Sequence, residues 1–344
     1  VRLLSPTAAL LSTALLASTW IACEEGGASG NGPARGGDDD VTRPEADAEA
    51  DADDEGTDGA DAAAETDAAG SFDAAARDTT PDASLDTRCR DVDVLFVVDN
   101  SGSMADNQRS VIASFDGFIT AMRTQLIHAR SYHVGVVTSD DNFGNGEGCT
   151  EIGSLVTRTS GPESSNATCG PWDGRRYMDG LDPDLDAAFA CAAQVGAGGS
   201  DDERVMRGLL NAVSTDFNAP GGCNEGFLRP DSLLIVVILT DEDDVNECEG
   251  VDDPFCDSFG SGGRPDDWLA EFVGYRPDAL ENTVVAALVG RRADNPCGAV
   301  VNSRVFGFAN RFGERGYAGD ICDETYDAFF AGILPLLDDA CKLQ

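Results

Sequence analysis

Two short acidic turns are the places where this sequence is equipped to do chemistry. The first is Asp99-Asn100-Ser101-Gly102-Ser103-Met104, which alternates one carboxylate with two hydroxyls. The second is Asp241-Glu242-Asp243-Asp244. A carboxylate and two hydroxyls at alternating positions can turn their oxygens into one cavity, and Gly102 permits the tight turn this needs. Hard oxygen donors of low total charge suit Mg2+, which keeps part of its water shell and leaves a position open; Ca2+ and Mn2+ are the alternatives. Taken alone, an Asp-x-Ser-x-Ser reads more simply as the cap of a following helix. The placement of the two turns decides for the metal.

Each turn follows a buried apolar run. Val92, Val94, Leu95, Phe96, Val97 and Val98 precede the first turn, and Leu233 to Thr240 precedes the second. Short continuous runs of this kind predict strands covered on both faces. Helical spacing of Val111, Ile112, Phe115, Phe118, Ile119, Met122 and Leu126 predicts a helix over 105–129. Further strands are expected over 132–138 and 283–289, with an edge strand over 152–157. Further helices are expected over 185–195, 203–213 and 267–275. A closing helix over 326–337 should be interrupted near Pro335. Alternating buried strands and amphipathic helices imply an α/β fold: a doubly wound, mostly parallel central sheet with helices on both faces. Such sheets bind ligands at the carboxyl ends of their strands, where both acidic turns fall.

With that placement, residues 99–104 resemble the Asp-x-Ser-x-Ser opening of von Willebrand factor A and integrin inserted domains. The resemblance extends over roughly residues 91–339. It implies a Rossmann-like fold and a metal-ion-dependent adhesion site. Asp99, Ser101 and Ser103 match the family's first motif, and Asp241 matches the Asp after its central strand. The loop Gly196-Ala197-Gly198-Gly199-Ser200 stands where the family has a Thr-bearing loop, which makes Ser200 the matching hydroxyl. The resemblance further implies a protein partner that supplies a Glu or Asp to the metal, and a binding module rather than an enzyme.

Other candidates carry less. Glu242, Asp243 and Asp244 read as a solvated acidic turn before they read as a second cation site. Asp140 and Asp141, after the strand at 132–138, read as a solvated turn near the same rim. His128 and His133 read as surface or rim residues. No serine sits in a nucleophile elbow, and the glycine-rich stretches lack a phosphate-loop lysine.

Composition sets the surroundings. Of 344 residues, 63 are Asp or Glu and 23 are Lys or Arg, for a formal net charge of -40. That charge repels nucleic acid and anionic lipid surfaces. Residues 1–22 read as an apolar export leader ending before Cys23, in a pattern resembling a bacterial lipobox. Lipidation of Cys23 would then be the only membrane attachment, and the cell envelope, at a bacterial outer membrane, the expected location. Residues 24–88 are Asp, Glu, Ala, Gly and Thr with few large apolar side chains, the composition of a disordered tether. With Cys23 they form the expected linker, 23–88, ahead of a domain over 89–344.

There are 11 cysteines; setting Cys23 aside leaves an even ten, the arithmetic of disulfides in an oxidising compartment. Their spacing lacks a structural-zinc pattern. Counting alone leaves the connectivity open. Neighbour spacing suggests Cys149 with Cys169, Cys191 with Cys223, Cys248 with Cys256 and Cys297 with Cys322, leaving Cys89 and Cys341 to tie the domain's ends. The expected function is therefore a surface lipoprotein that binds an acidic protein ligand through a divalent metal. Its alternatives are a structural part of an envelope assembly, in which the metal orders loops, and, further off, a metal-assisted hydrolase.

Overall fold

Strand propensity and burial coincide in four segments, and these build the centre of the sheet. The computed structural model describes residues 89–146, 148–244 and 260–341. The leader, Cys23, the acidic linker and the Cys248 and Cys256 pairing lie outside the described residues. In chain order the elements are β1 (Asp91–Val98), α1 (Ala105–Gln125), β2 (Ser131–Thr138), β3 (Met178–Asp179), α2 (Leu185–Ala193), α3 (Val205–Val213), α4 (Thr215–Asn218) and β4 (Leu233–Thr240). They continue with α5 (Pro265–Tyr275), α6 (Ala279–Asn282), β5 (Thr283–Val289), α7 (Arg304–Asn310), β6 (Gly316–Asp320) and α8 (Asp327–Cys341).

The sheet order is β3-β2-β1-β4-β5-β6, and every pairing is parallel except that of β3 with β2. Successive side chains on a strand point to opposite faces, so β1 feeds two cores. Phe96 faces α1, α2 and α8, with its ring 5.8 Å from Phe115 and 4.7 Å from Phe189. Leu95 and Val97 face the other side, where Leu209, Trp268, Phe272 and Phe308 are buried. This is the doubly wound α/β arrangement expected from the sequence. The strand order reverses at β1, with β2 and β3 laid to one side of it and β4, β5 and β6 to the other, which makes the β1–β4 junction the switch point of the sheet.

Three expectations need correction. Residues 152–157 do not form the edge strand. Gly153 takes a φ of +91°, which breaks the extended run. The Leu155 and Thr157 N–H groups then bond to the side chains of Asn224 and Asn145, each at 2.9 Å, rather than to a strand. The edge is instead β3, antiparallel to β2. β6 went unforeseen because Gly-Tyr-Ala-Gly-Asp has no apolar run, and it is only half-buried at its own edge. Pro335 does not interrupt the last helix, which continues to Cys341. Ile333, Leu337 and Ala340 are buried along it, and the Cys89–Cys341 disulfide secures its end.

The disulfides correct the neighbour rule in one respect. Cys89–Cys341 and Cys297–Cys322 form as expected. The other two described bridges exchange partners: Cys149 pairs with Cys223, and Cys169 with Cys191. The reason is the long excursion after β2. It doubles back through a bridge between Arg158 and Thr168, and the Ser165 hydroxyl bonds the Cys191 carbonyl at 2.8 Å. Cys169 is thereby set against the last turn of α2, and Cys149 is left beside the loop that follows α4. Among the described residues no helix is long and apolar enough to cross a membrane.

Candidate metal centre

β1 and β4 run side by side in register, Val98 opposite Leu239, so the residues that follow them emerge together. Asp99 is fully buried. One of its carboxylate oxygens accepts the Ser101 N–H at 2.7 Å, and the other accepts the Thr240 hydroxyl at 2.7 Å. Ser101 Oγ lies 3.5 Å from Ser103 Oγ, which in turn donates to Asp241 Oδ1 at 3.0 Å. Asp99, Ser101, Ser103 and Asp241 therefore form one chain of oxygens over the switch point. Among the described residues no three His, Cys, Asp or Glu side chains are arranged to hold a metal by themselves, so the hydroxyls are needed to complete any donor set.

The loops around this chain are tied down from below. Gln108, fully buried on α1, donates to the Asp99 carbonyl at 3.0 Å and to the Gly196 carbonyl at 2.8 Å, and accepts from Gly196 N–H at 3.0 Å. It joins the first turn to the loop at 196–200. Gly199 donates to the Asn100 carbonyl at 2.8 Å, and a Cβ there would stand 2.5 Å from the Asn100 side chain. Only glycine lets the two loops approach this closely. The sheet order, together with an Asp-x-Ser-x-Ser turn facing an Asp across its switch point, decides what this domain resembles.

The arrangement resembles that of von Willebrand factor A domains.

No protein-family model matches the sequence, and no curated protein does. Among solved structures, proximal thread matrix protein 1 from the mussel byssus overlaps 73% of this chain and 49% of its own, at 12% identity and a TM-score of 0.41. A von Willebrand factor type A structure from Catenulispora acidiphila overlaps 74% of this chain and 43% of its own, at 12% identity and a TM-score of 0.39. The pilus adhesin SpaC from Lactobacillus rhamnosus GG overlaps 73% of this chain and 30% of its own, at 17% identity and a TM-score of 0.35. This chain thus spans less than half the length of each. Overlaps this loose transfer none of those proteins' chemistry. The likeness rests on the strand order and the turn geometry.

The von Willebrand factor A-like frame shows which expected residues meet. Asp99, Ser101, Ser103 and Asp241 do. Ser200 is not joined to them: it is exposed, its hydroxyl accepts Asp202 N–H at 3.0 Å, and its own N–H goes to Asp140 at 2.8 Å. Glu203, just before α3, is the residue that reaches Asp99. It is 4% exposed, and among the described residues neither of its carboxylate oxygens has a hydrogen-bond donor. Burial, followed by the charge of Asp99, holds its carboxyl well above the usual carboxylate range. Asp99 and Asp241 are likewise raised, chiefly by burial. Local sequence gives little signal for Glu203: it is the last of three consecutive acidic residues, Asp201-Asp202-Glu203, two places before an apolar helix.

The second acidic turn is also corrected. Asp243 and Asp244 are buried anchors rather than solvated residues. Asp243 accepts from Ser303 N–H at 2.8 Å and Arg304 N–H at 3.1 Å, fastening the start of α7. Asp244 accepts from Met206 N–H at 2.9 Å and Ser261 N–H at 2.7 Å, fastening α3 to the loop before α5. Both carboxylates are spent on backbone donors, so among the described residues they make no second cation site. Asp140 is an anchor as well, paired with Arg204, and Asp141 accepts from Ile152 N–H at 2.9 Å. His133 bonds the Phe227 carbonyl at 2.8 Å and stacks on Tyr177, away from the cluster.

These buried carboxyls carry a pH signature. Burial pushes Asp244 up to about 6 from 3.8. A carboxyl raised in the folded state stabilises it fully below the unfolded value, and the contribution is lost as pH rises through the folded value. For Asp244 that displacement is worth about 3 kcal/mol, present below its unfolded pKa and gone above about pH 6. Asp99, Glu203, Asp241 and Glu242 move in the same direction. His133 opposes them, because burial lowers its imidazole and acid must charge it. Glu203, raised to about 10, and Asp244, raised to about 6, together outweigh one imidazole over this range. In chelator, thermal unfolding should occur at a higher temperature at about pH 5.5 than at about pH 7.5. A midpoint that falls on acidification over that range would contradict the burial assigned to these groups.

Proposed function

We propose that this domain is a divalent-cation-dependent recognition module of the cell envelope. The observation that carries the proposal is the run of oxygens from Asp99 through Ser101 and Ser103 to Asp241, set over the switch point of the sheet. Ser101 and Ser103 would offer hydroxyl oxygens to a Mg2+, Mn2+ or Ca2+ ion, with the Asp99 and Asp241 carboxylates supplying the charge. When bound, such an ion is a Lewis acid that can take an oxygen from a partner. Glu203, buried against Asp99 without a donor, fits this reading, since a cation reconciles two facing carboxylates.

The surrounding surface suits recognition more than catalysis. Phe143 is 80% exposed in the loop after β2, although Asn142 and Asn145 bond that loop to neighbouring backbone. Val300 and Val301 are about half exposed on the opposite side, and Val300 N–H bonds the Asp241 carbonyl at 2.8 Å. Rigid apolar residues beside a polar centre are typical of protein-binding faces. The resemblance implies a partner Glu or Asp on the metal. One observation, Glu203, favours the second reading, in which the cation orders the loops of that face. Acylation of Cys23 would hold the domain at the envelope.

The test is calorimetric titration of the chelator-treated domain with Mg2+ and Mn2+, followed by capture from envelope extract with Mg2+ and with EDTA. One saturable site and a partner released by EDTA are expected. A domain that takes up no cation would overturn the proposal.

A further inference from the structure

We infer that Glu203 is itself a ligand of the cation and fills the position that a partner's acidic residue would otherwise occupy. The inference rests on the metal reading above and makes it more specific.

Glu203 differs from every other carboxylate around the site. Asp99 receives Ser101 N–H and the Thr240 hydroxyl, and Asp241 receives the Ser103 hydroxyl. Asp243 and Asp244 are spent on backbone donors. Glu203 is 4% exposed, and both its oxygens are buried without a donor. The polar group it faces is Asp99, another acceptor. Arg204, the adjacent cation, turns away to Asp140 and Asp202. A buried carboxylate in this position is strongly disfavoured unless a proton or a cation lies against it. The rest of the site already gathers oxygens toward the same point.

Charge then sets what the ion can do. Hydroxyl ligands leave a divalent ion with charge to spare, which a partner carboxylate can satisfy. Here Asp99 and Asp241 already balance a divalent ion, and Glu203 adds a third negative charge beside it. A carboxylate from a partner would enter a site that is already neutral or negative. The cation is therefore retained as a brace between β1, the loop before α3 and β4, and it does not accept acidic ligands.

The experiment compares wild type, Glu203→Gln and Glu203→Thr by calorimetry with Mg2+, Mn2+ and Ca2+. Acetate is the probe for the open position, read by paramagnetic line broadening on the Mn2+-loaded proteins. Wild type should bind the ion and leave acetate unbroadened. Both variants should bind the ion at least about tenfold more weakly, and Glu203→Thr should broaden acetate. In EDTA, both variants should melt above wild type, because a buried carboxyl without a donor is gone; a merely structural residue would give the opposite shift. The inference fails if the variants keep wild-type ion affinity, as they would if Glu203 and Asp99 only share a proton. It fails equally if acetate binds wild type as it binds Glu203→Thr. Absence of ion uptake by wild type overturns the metal reading itself, and is distinct from either result.

Discussion

Asp99→Ala is expected to eliminate cation uptake while leaving a folded domain. At a free ion concentration about a hundred times its dissociation constant, binding should stabilise wild type by about 2.7 kcal/mol. The variant should show none of that gain. Asp99 is buried at the end of β1, holds the Ser101 N–H that shapes the turn, and faces Glu203. Its removal takes away both the charge and the turn geometry. The cost to the metal-free fold should be small, since the lost acceptor for a buried N–H, worth about 1–3 kcal/mol, is offset by relief of Glu203. Ser200→Ala should leave uptake unchanged, because its hydroxyl serves Asp202 N–H in a local turn. Differential scanning calorimetry with and without Mg2+ reads all three proteins. Equal ion-induced stabilisation in wild type and Asp99→Ala would place the cation elsewhere and remove the chemical basis of the recognition function.

The second large effect lies at the other end of the sheet. Arg229→Ala should cost about 3–5 kcal/mol of stability without changing ion affinity. Asp93 points inward from β1 and is fully buried. It accepts Arg229 N–H and Nε, each at 2.8 Å, and the Ser232 hydroxyl at 2.6 Å. The same guanidinium reaches Asp91 at 3.2 Å, the Ser131 hydroxyl at 2.6 Å and the Val92 carbonyl at 2.8 Å. One arginine thus ties the starts of β1 and β2 to the segment entering β4. Without it Asp93 keeps a buried charge that the Ser232 hydroxyl and one backbone N–H cannot balance. Urea unfolding gives the measurement, and Asp93→Asn combined with Arg229→Met should recover much of the loss. A shift below about 1 kcal/mol would mean that the pair behaves like a surface salt bridge.

These two sites differ in how they could be found. The upper one was largely legible in the residues, because strand ends announce themselves. Val92 to Val98 and Leu233 to Thr240 read as strands buried on both faces, short and rich in β-branched residues, and polar residues that follow such strands gather at one edge. That reasoning brings Asp99, Ser101, Ser103 and Asp241 to one edge, and the resemblance to the von Willebrand factor A motif implies their joint role. The helical face of 105–125 and the strand at 283–289 were legible for the same reason: periodicity reports burial.

Whatever depends on which loop meets which was decided by the tertiary structure. Cys149 and Cys169 are near neighbours in the chain, but the excursion after β2 carries Cys169 to α2 and leaves Cys149 beside Cys223. Asp243 and Asp244 look like a solvated turn until α7 and α3 present their N–H groups. β6 forms from an unpatterned Gly-Tyr-Ala-Gly-Asp because β5 offers it an edge. Glu203 in place of Ser200 is the most consequential case. Both residues occupy the same short loop, and local sequence does not register the difference between them. The chain turns Ser200 outward to cap its own backbone and buries Glu203 against Asp99. Burial turns an ordinary acidic residue into a charge that needs a partner, and burial is a property of the assembled fold.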